Sequence, residues 1–358
     1  MKMRRRPLLL LAAAWPLALR AAPVVQPGRA LVFPRDFGAH PDHRTEWWYV
    51  TGALQTPQQR EFGFQITFFR SRIDTAQGNP SRFGAHQLLF AHAAVTDLQG
   101  GRLLHDQRIA RAGFGIAQAA EADTDVSLRD WFLRREGPAE ASRYLAQLPA
   151  QGFAMDFALR ETQPVLLQGE AGWSRKGPRP GQASYYYSQP QLAVEGRLLL
   201  GSEAHAVQGR AWLDHEWSEE LLDAEALGWD WIGMNLDDGS ALTAFQLRRR
   251  DGGALWAGGS FRVPGQAARS FAPGEVRFTP GRRWTSPATG ATYPVKWQVD
   301  TPAGRFAVRA RLDAQELDSR ASSGAVYWEG LSDLLDAGGH RVGRGYLEMT
   351  GYAARLRL

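Results

Sequence analysis

Residues 228–263, GWDWIGMNLDDGSALTAFQLRRRDGGALWAGGSFRV, decide the fold. Trp229 to Leu236, Ala241 to Arg249 and Leu255 to Val263 are runs of strand length. Between them stand Asp237-Asp238-Gly239 and Asp251-Gly252-Gly253, which supply the positive-φ positions that tight hairpin turns require. These signals spell an antiparallel meander of three strands.

The same grammar extends in both directions. Asp97 to Gly101, Thr289-Gly290 and Pro302-Ala303-Gly304 read as further hairpin turns, and Phe62 to Phe68 alternates apolar with small or polar residues. The chain is therefore expected to be all-β, with few helices. Residues 105–120 are the one helix candidate, interrupted by Gly113 and Gly115. From Gly169 to Pro190 the composition turns to Gly, Pro, Ser and Arg around Tyr185-Tyr186-Tyr187, as an inter-domain crossing would. This places two domains at 30–191 and 192–358, with a boundary near residue 192. Glu46-Trp47-Trp48-Tyr49-Val50-Thr51-Gly52 and Glu348-Met349-Thr350-Gly351-Tyr352 hint at an internal duplication.

Residues 1–22, MKMRRRPLLLLAAAWPLALRAA, run from a basic start through an apolar stretch to small residues at Ala21 and Ala22, the order of a signal peptide that would be removed at about residue 21. Arg5-Arg6-Pro7-Leu8-Leu9 resembles the twin-arginine export pattern. The expected location is periplasmic or secreted. No stretch approaches the ~20 apolar residues of a transmembrane helix. The formal charge of +5 includes Lys2, Arg4, Arg5, Arg6 and Arg20; removing those five leaves zero, which argues against a nucleic-acid partner. With no cysteine, the chain lacks disulfides and a thiolate nucleophile, and must hold together by core burial.

Thirteen tryptophans include bursts beside acids and histidines: Glu46-Trp47-Trp48, Trp212-Leu213-Asp214-His215-Glu216-Trp217, Trp229-Asp230-Trp231 and Trp328-Glu329. On a strand, Trp212, Asp214 and Glu216 share one face while Leu213, His215 and Trp217 share the other. A carboxyl desolvated among rings keeps its proton toward neutrality and can donate it, and ring faces stabilise a cation formed on the substrate. Asp214, His215 and Glu216 are the candidate catalytic residues. Trp217, Trp229 and Trp231, with Trp48, Tyr186 and Trp328, are the candidate ligand-binding residues. The alternative for Asp214 and His215 is a buried structural pair. His40, His43, His86 and His92 match no strong zinc spacing, so no metal and no cofactor is expected. No Gly-x-Ser-x-Gly occurs, and Ser218 beside His215 lacks an orienting context for hydrolysis.

Six blocks together resemble the AttH-like proteins related to carotenoid 1,2-hydratase: His40-Pro41 with Glu46 to Gly52, Ser184 to Ser188, Trp212 to Ser218, Gly228 to Trp231, Tyr327 to Gly330, and Gly345 to Tyr352. The resemblance spans nearly the whole chain after residue 22. It implies a pair of lipocalin-like β domains enclosing a cavity for an apolar ligand. It also implies cofactor-free addition of water to an isoprenoid or other lipid double bond, with Asp214, His215 and Trp217 matching an aspartate-histidine-x-tryptophan segment. The hydratases also carry a tyrosine and an acid on a strand just after that segment; here Ala241 to Arg248 holds neither. A non-catalytic carrier of an apolar molecule, working beside a membrane export system, is the alternative.

Overall fold

A computed structural model describes residues 24–356 apart from Leu221; the signal-peptide segment lies outside the described residues. Thirteen strands form the first sheet. They are β1 (Thr45–Gln55), β2 (Glu61–Arg72), β3 (Gln87–Asp97), β4 (Arg102–Arg111), β5 (Ala117–Ala119), β6 (Asp125–Leu128), β7 (Trp131–Glu136), β8 (Arg143–Ala150), β9 (Phe153–Arg160), β10 (Leu166–Leu167), β11 (Trp173–Arg175), β12 (Ala183–Leu200) and β13 (Glu203–Ser218). Their order is β4-β3-β2-β1-β13-β12-β9-β8-β7-β6-β5, with β10 and β11 also on β12.

This sheet curls into a nearly closed barrel. At its seam, Gly113 beyond β4 bridges Ala117 at the start of β5. Arg108 of β4 reaches across to donate to the Pro149 carbonyl at 3.0 Å, and its guanidinium lies 4.3 Å from the centre of the Trp131 ring. Phe62, Phe64, Ile66 and Phe68 of β2 are fully buried, each worth roughly 1.5–3 kcal/mol over an exposed position.

The second sheet uses β14 (Gly228–Leu236), β15 (Ala241–Arg248), β16 (Ala254–Arg262), β17 (Arg269–Phe271), β18 (Arg277–Pro280), β21 (Lys296–Thr301), β22 (Gly304–Ala310), β23 (Glu316–Ser319), β24 (Ala325–Leu335) and β25 (Arg341–Met349), while β19 (Arg283–Thr285) and β20 (Thr292–Pro294) form a separate hairpin. The meander of 228–263 is β14-β15-β16, turning where the two Asp-Gly signals stand.

The all-β expectation holds: among the described residues there is no α-helix, only two short 3₁₀ turns, and no helix long and apolar enough to cross a membrane. The helix candidate at 105–120 is corrected. It is β4, a turn through Gly113 and Gly115, and β5. β4 lies at the sheet's edge, half-buried along most of its length, so its two faces differ little and the period-two signal is weak. The boundary near residue 192 also falls elsewhere. Residue 192 lies inside β12, and the chain changes sheets between Ser218 and Gly228. What the composition registers is a bulge: pairing between β12 and β13 shifts between Gln189 and Leu192, where Pro190 has no N–H to donate and Gln191 sits at φ 59°.

Each sheet buries one face in its own core and packs part of its other face against its neighbour. Tyr49 and Trp212 of the first sheet meet Trp231, Phe245, Leu331 and Tyr346 of the second in an inter-sheet cluster. Hence β13 from Ala211 to Ser218, and all of β15, are buried on both faces. Gly233 permits this closeness, since a Cβ there would lie 2.3 Å from the Trp231 ring.

Candidate active site

Between the sheets lies a cavity of about 380 Å³. Alternation along each strand selects its walls. Tyr49 comes from β1, Thr67 and Phe69 from β2, Phe90 and His92 from β3, Tyr186 from β12, and Asp214 and Glu216 from β13. Opposite stand Trp229 and Trp231 of β14, Phe245 and Leu247 of β15, Tyr327 and Glu329 of β24, and Glu348 of β25.

Asp214 is buried and accepts three hydrogen bonds. Tyr186 donates to Oδ2 at 2.7 Å, while Ser188 and the Trp212 indole donate to Oδ1 at 2.5 and 2.6 Å. Burial pushes its carboxyl up; the three donors oppose that, Glu216 reinforces it, and the net position is about 7. Glu216 is partnered differently. Lys176 Nζ lies 2.9 Å from its Oε1, the Ser184 hydroxyl donates to the same oxygen, and the ammonium sits over the rings of Tyr186 and Phe245.

Glu329 and Glu348 are directly opposite one another on β24 and β25. Burial, then the charge of Glu348, raises Glu329 well above the carboxylate range; its Oε1 is buried with no hydrogen-bond partner. Burial, with Asp214 and Glu216 adding to it against the Trp229 indole, lifts Glu348 to about 7. His92 offers no counter-charge: burial holds its ring down to about 3, bonded to Tyr327 Oη at 2.7 Å and Ser322 Oγ at 2.9 Å.

The sequence candidates divide between two places. Asp214, Glu216, Tyr186, Trp229 and Trp231 meet at the cavity. His215, Trp217 and Trp48 point the other way, into the barrel. There His215 Nε2 is 2.9 Å from Glu46 Oε1 and Nδ1 is 3.1 Å from Tyr187 Oη; Trp48 stacks on its ring at 4.6 Å and Trp217 stacks on His40 at 3.7 Å. The structure therefore does not bring His215 or Trp217 to Asp214's side of β13. Trp328 belongs to the core of the second sheet, its indole donating to the Asp313 carbonyl. Ser218 donates to the Ala183 carbonyl and not to His215.

His40, Glu46 and His215 offer ligand atoms within 4.8 Å of one another, the one metal-capable group among the described residues. That group is already satisfied. Arg70 Nε donates to Glu46 Oε2 at 2.7 Å, and both His40 ring nitrogens face carboxylates, Glu46 at 2.7 Å and Asp36 at 2.9 Å. Despite its burial, Arg70 and His40 hold Glu46 well below the usual carboxylate range.

Sequence reasoning missed Glu348, Lys176 and the Glu329 carboxyl as cavity groups. The acids sought on the strand after β13 come instead from β24 and β25, whose pairing partners are set by long-range register. The available signal was alternation within Gly345 to Tyr352, which puts Tyr346 and Glu348 on one face.

A candidate AttH protein from Nitrosomonas europaea has a similar structure, with 50% identity, coverage of 92% of this chain and 99% of its own, and a TM-score of 0.86. Kievitone hydratase from Nectria haematococca shares the fold at 16% identity, with 94% and 95% of the two chains covered and a TM-score of 0.69. CghA, solved with Sch210972, shares it at 12% identity, 87% and 89% coverage and a TM-score of 0.52. No curated protein matches the sequence. The AttH-like family model matches residues 24–352, and the chain belongs to the AttH-like family.

Proposed function

We propose that the protein is a cofactor-free hydratase that adds water to an electron-rich double bond of an isoprenoid or prenylated lipid held in the inter-sheet cavity. One observation carries this: a fully buried carboxyl, Asp214, with a pKa near 7, at the wall of an aromatic cavity. Asp214 is protonated in half or more of the molecules at or below neutrality, and its hydroxyl proton passes to the less substituted alkene carbon. The tertiary cation that remains lies against the rings of Trp229 and Trp231, each worth roughly 0.5–2 kcal/mol. Water forms the new C–O bond, Glu348 takes the proton it releases and passes it to solvent, and a proton from solvent restores Asp214. The net change is alkene plus water to tertiary alcohol. The name of kievitone hydratase, which shares the fold, supports the reaction class. Trp217 and His215 act here as scaffold, not as catalytic groups. Export to the periplasm belongs to the same proposal, and N-terminal sequencing of periplasmic protein tests it.

The decisive experiment incubates the purified protein with terminal-alkene isoprenoids in ¹⁸O-labelled water and follows labelled alcohol by mass spectrometry. Labelled tertiary alcohol, lost in Asp214→Asn, is the expected result. Retention of a lipid without any turnover would replace the hydratase by a carrier.

A further inference from the structure

Among the described residues six large apolar side chains are exposed, and four of them, Phe83, Ile109, Phe114 and Ile116, come from one surface beside β4. Phe83 is 65% exposed and Phe114 45%, their rings stacked with centroids 5.4 Å apart. The Arg111 guanidinium lies over both rings, at 5.5 and 4.5 Å, and Arg82 lies 5.5 Å from Phe114. Neither arginine forms an ion pair among the described residues, and the flanking segments 75–96 and 107–120 contain no acidic residue. Phe114 is held at φ 59° between Gly113 and Gly115, a conformation unfavourable for a bulky residue that nonetheless keeps its ring outward. Ile109, two residues before Arg111 on the same strand face, also lines the inter-sheet cavity, so the patch runs to the cavity's edge.

We propose that this surface docks on a lipid bilayer bearing anionic headgroups, and that the cavity takes up its apolar substrate from there. Exposed aromatic rings bury at the boundary between headgroups and acyl chains, and unpaired arginines beside them meet lipid phosphates. The mixture of rings and cations, without acids, fits an anionic bilayer better than a protein partner, whose interface would match charge with charge. The uptake of substrate rests on the hydratase proposal; the docking does not.

The test is co-sedimentation of the purified protein with vesicles of phosphatidylcholine alone and of phosphatidylcholine mixed with phosphatidylglycerol. The parent protein binds the mixed vesicles. Phe83→Ser with Phe114→Ser lowers partitioning by about tenfold or more on both kinds of vesicle. Arg82→Gln and Arg111→Gln each lower it about fivefold on the mixed vesicles only. Melting temperatures equal to the parent's establish that the variants are folded. A parent that stays in the supernatant, or variants that bind as well as it does, would overturn the proposal. So would a concentration-dependent dimer abolished by the aromatic pair of substitutions, which would make the patch a self-association surface. Hydration of a detergent-dispersed alkene separates the two proposals. Turnover without vesicle binding removes only the docking, and vesicle binding without turnover removes only the hydratase.

Discussion

Asp214 and His215 are adjacent in β13 and enter opposite electrostatic worlds. On the barrel side, His215 joins Glu46, His40, Asp36 and Arg70, where every carboxylate meets a guanidinium or an imidazole and Arg70 also caps the carbonyls of His40 and His43 at 2.9 Å. On the cavity side, Asp214, Glu216, Glu329 and Glu348 share one ammonium, Lys176, which is committed to Glu216. The compensated cluster lowers Asp36 and Glu46, and the uncompensated one raises Asp214, Glu329 and Glu348. Buried polar groups that balance hold a fold in one arrangement; buried acids that do not balance hold protons ready to move.

The comparison breaks most easily at Arg70. Arg70→Met strips Glu46 of its cation in a dry site and is expected to cost about 3–5 kcal/mol of stability, measured by denaturant unfolding. A loss below about 1 kcal/mol would mean the barrel network is not compensated as described. Asp214→Asn should act on the reaction: turnover falls by about 100-fold or more, near 2.7 kcal/mol of barrier, while ligand retention in native mass spectrometry persists. Equal losses of binding and turnover would make Asp214 a structural residue.

His215→Gln sharpens the contrast. Losing its hydrogen bonds to Glu46 and Tyr187 should lower stability by about 1–3 kcal/mol while turnover per folded molecule changes little. A hundredfold loss of turnover in a stable His215→Gln protein would return catalysis to the barrel side.

A pH dependence separates the two sides as well. Asp214 in the folded protein titrates at about 7, against 3.8 for an aspartate in the unfolded chain, so its contribution to stability is full below about 3.8 and is lost as pH rises from there through about 7. Between pH 5 and pH 8 the stability difference between parent and Asp214→Asn should therefore move in the variant's favour, by about 1–4 kcal/mol. A difference that stays flat would place Asp214 at an ordinary carboxylate pKa.

The strands were legible because their turns are local: Asp237-Asp238-Gly239 and Asp251-Gly252-Gly253 announce hairpins with a handful of residues. The two faces of β13 were legible for the same reason, since alternation needs only neighbouring positions. What lay beyond reach was pairing across long separations. Glu46 meets His215 at 169 residues' distance and Arg70 at 24, and nothing local states that β1 lies between β2 and β13. The same blindness hid Glu348 opposite Glu329, and it turned the bulge at Pro190 and Gln191 into an apparent end of a domain.

Because β13 is a wall one strand thick, it obeys a parity rule useful for redirecting the cavity by mutagenesis. Even positions 212, 214 and 216 of β13 and, ahead of its bulge, 184, 186 and 188 of β12 face the inter-sheet side, while 211, 213, 215 and 217 of β13 and 183, 185, 187 and 189 of β12 belong to the scaffold. On β1 and β2 the parity reverses, with 47 and 49, and 67, 69 and 71, on the cavity side. A combinatorial library confined to those positions samples substrate shape and acidity while sparing the residues that keep the barrel folded.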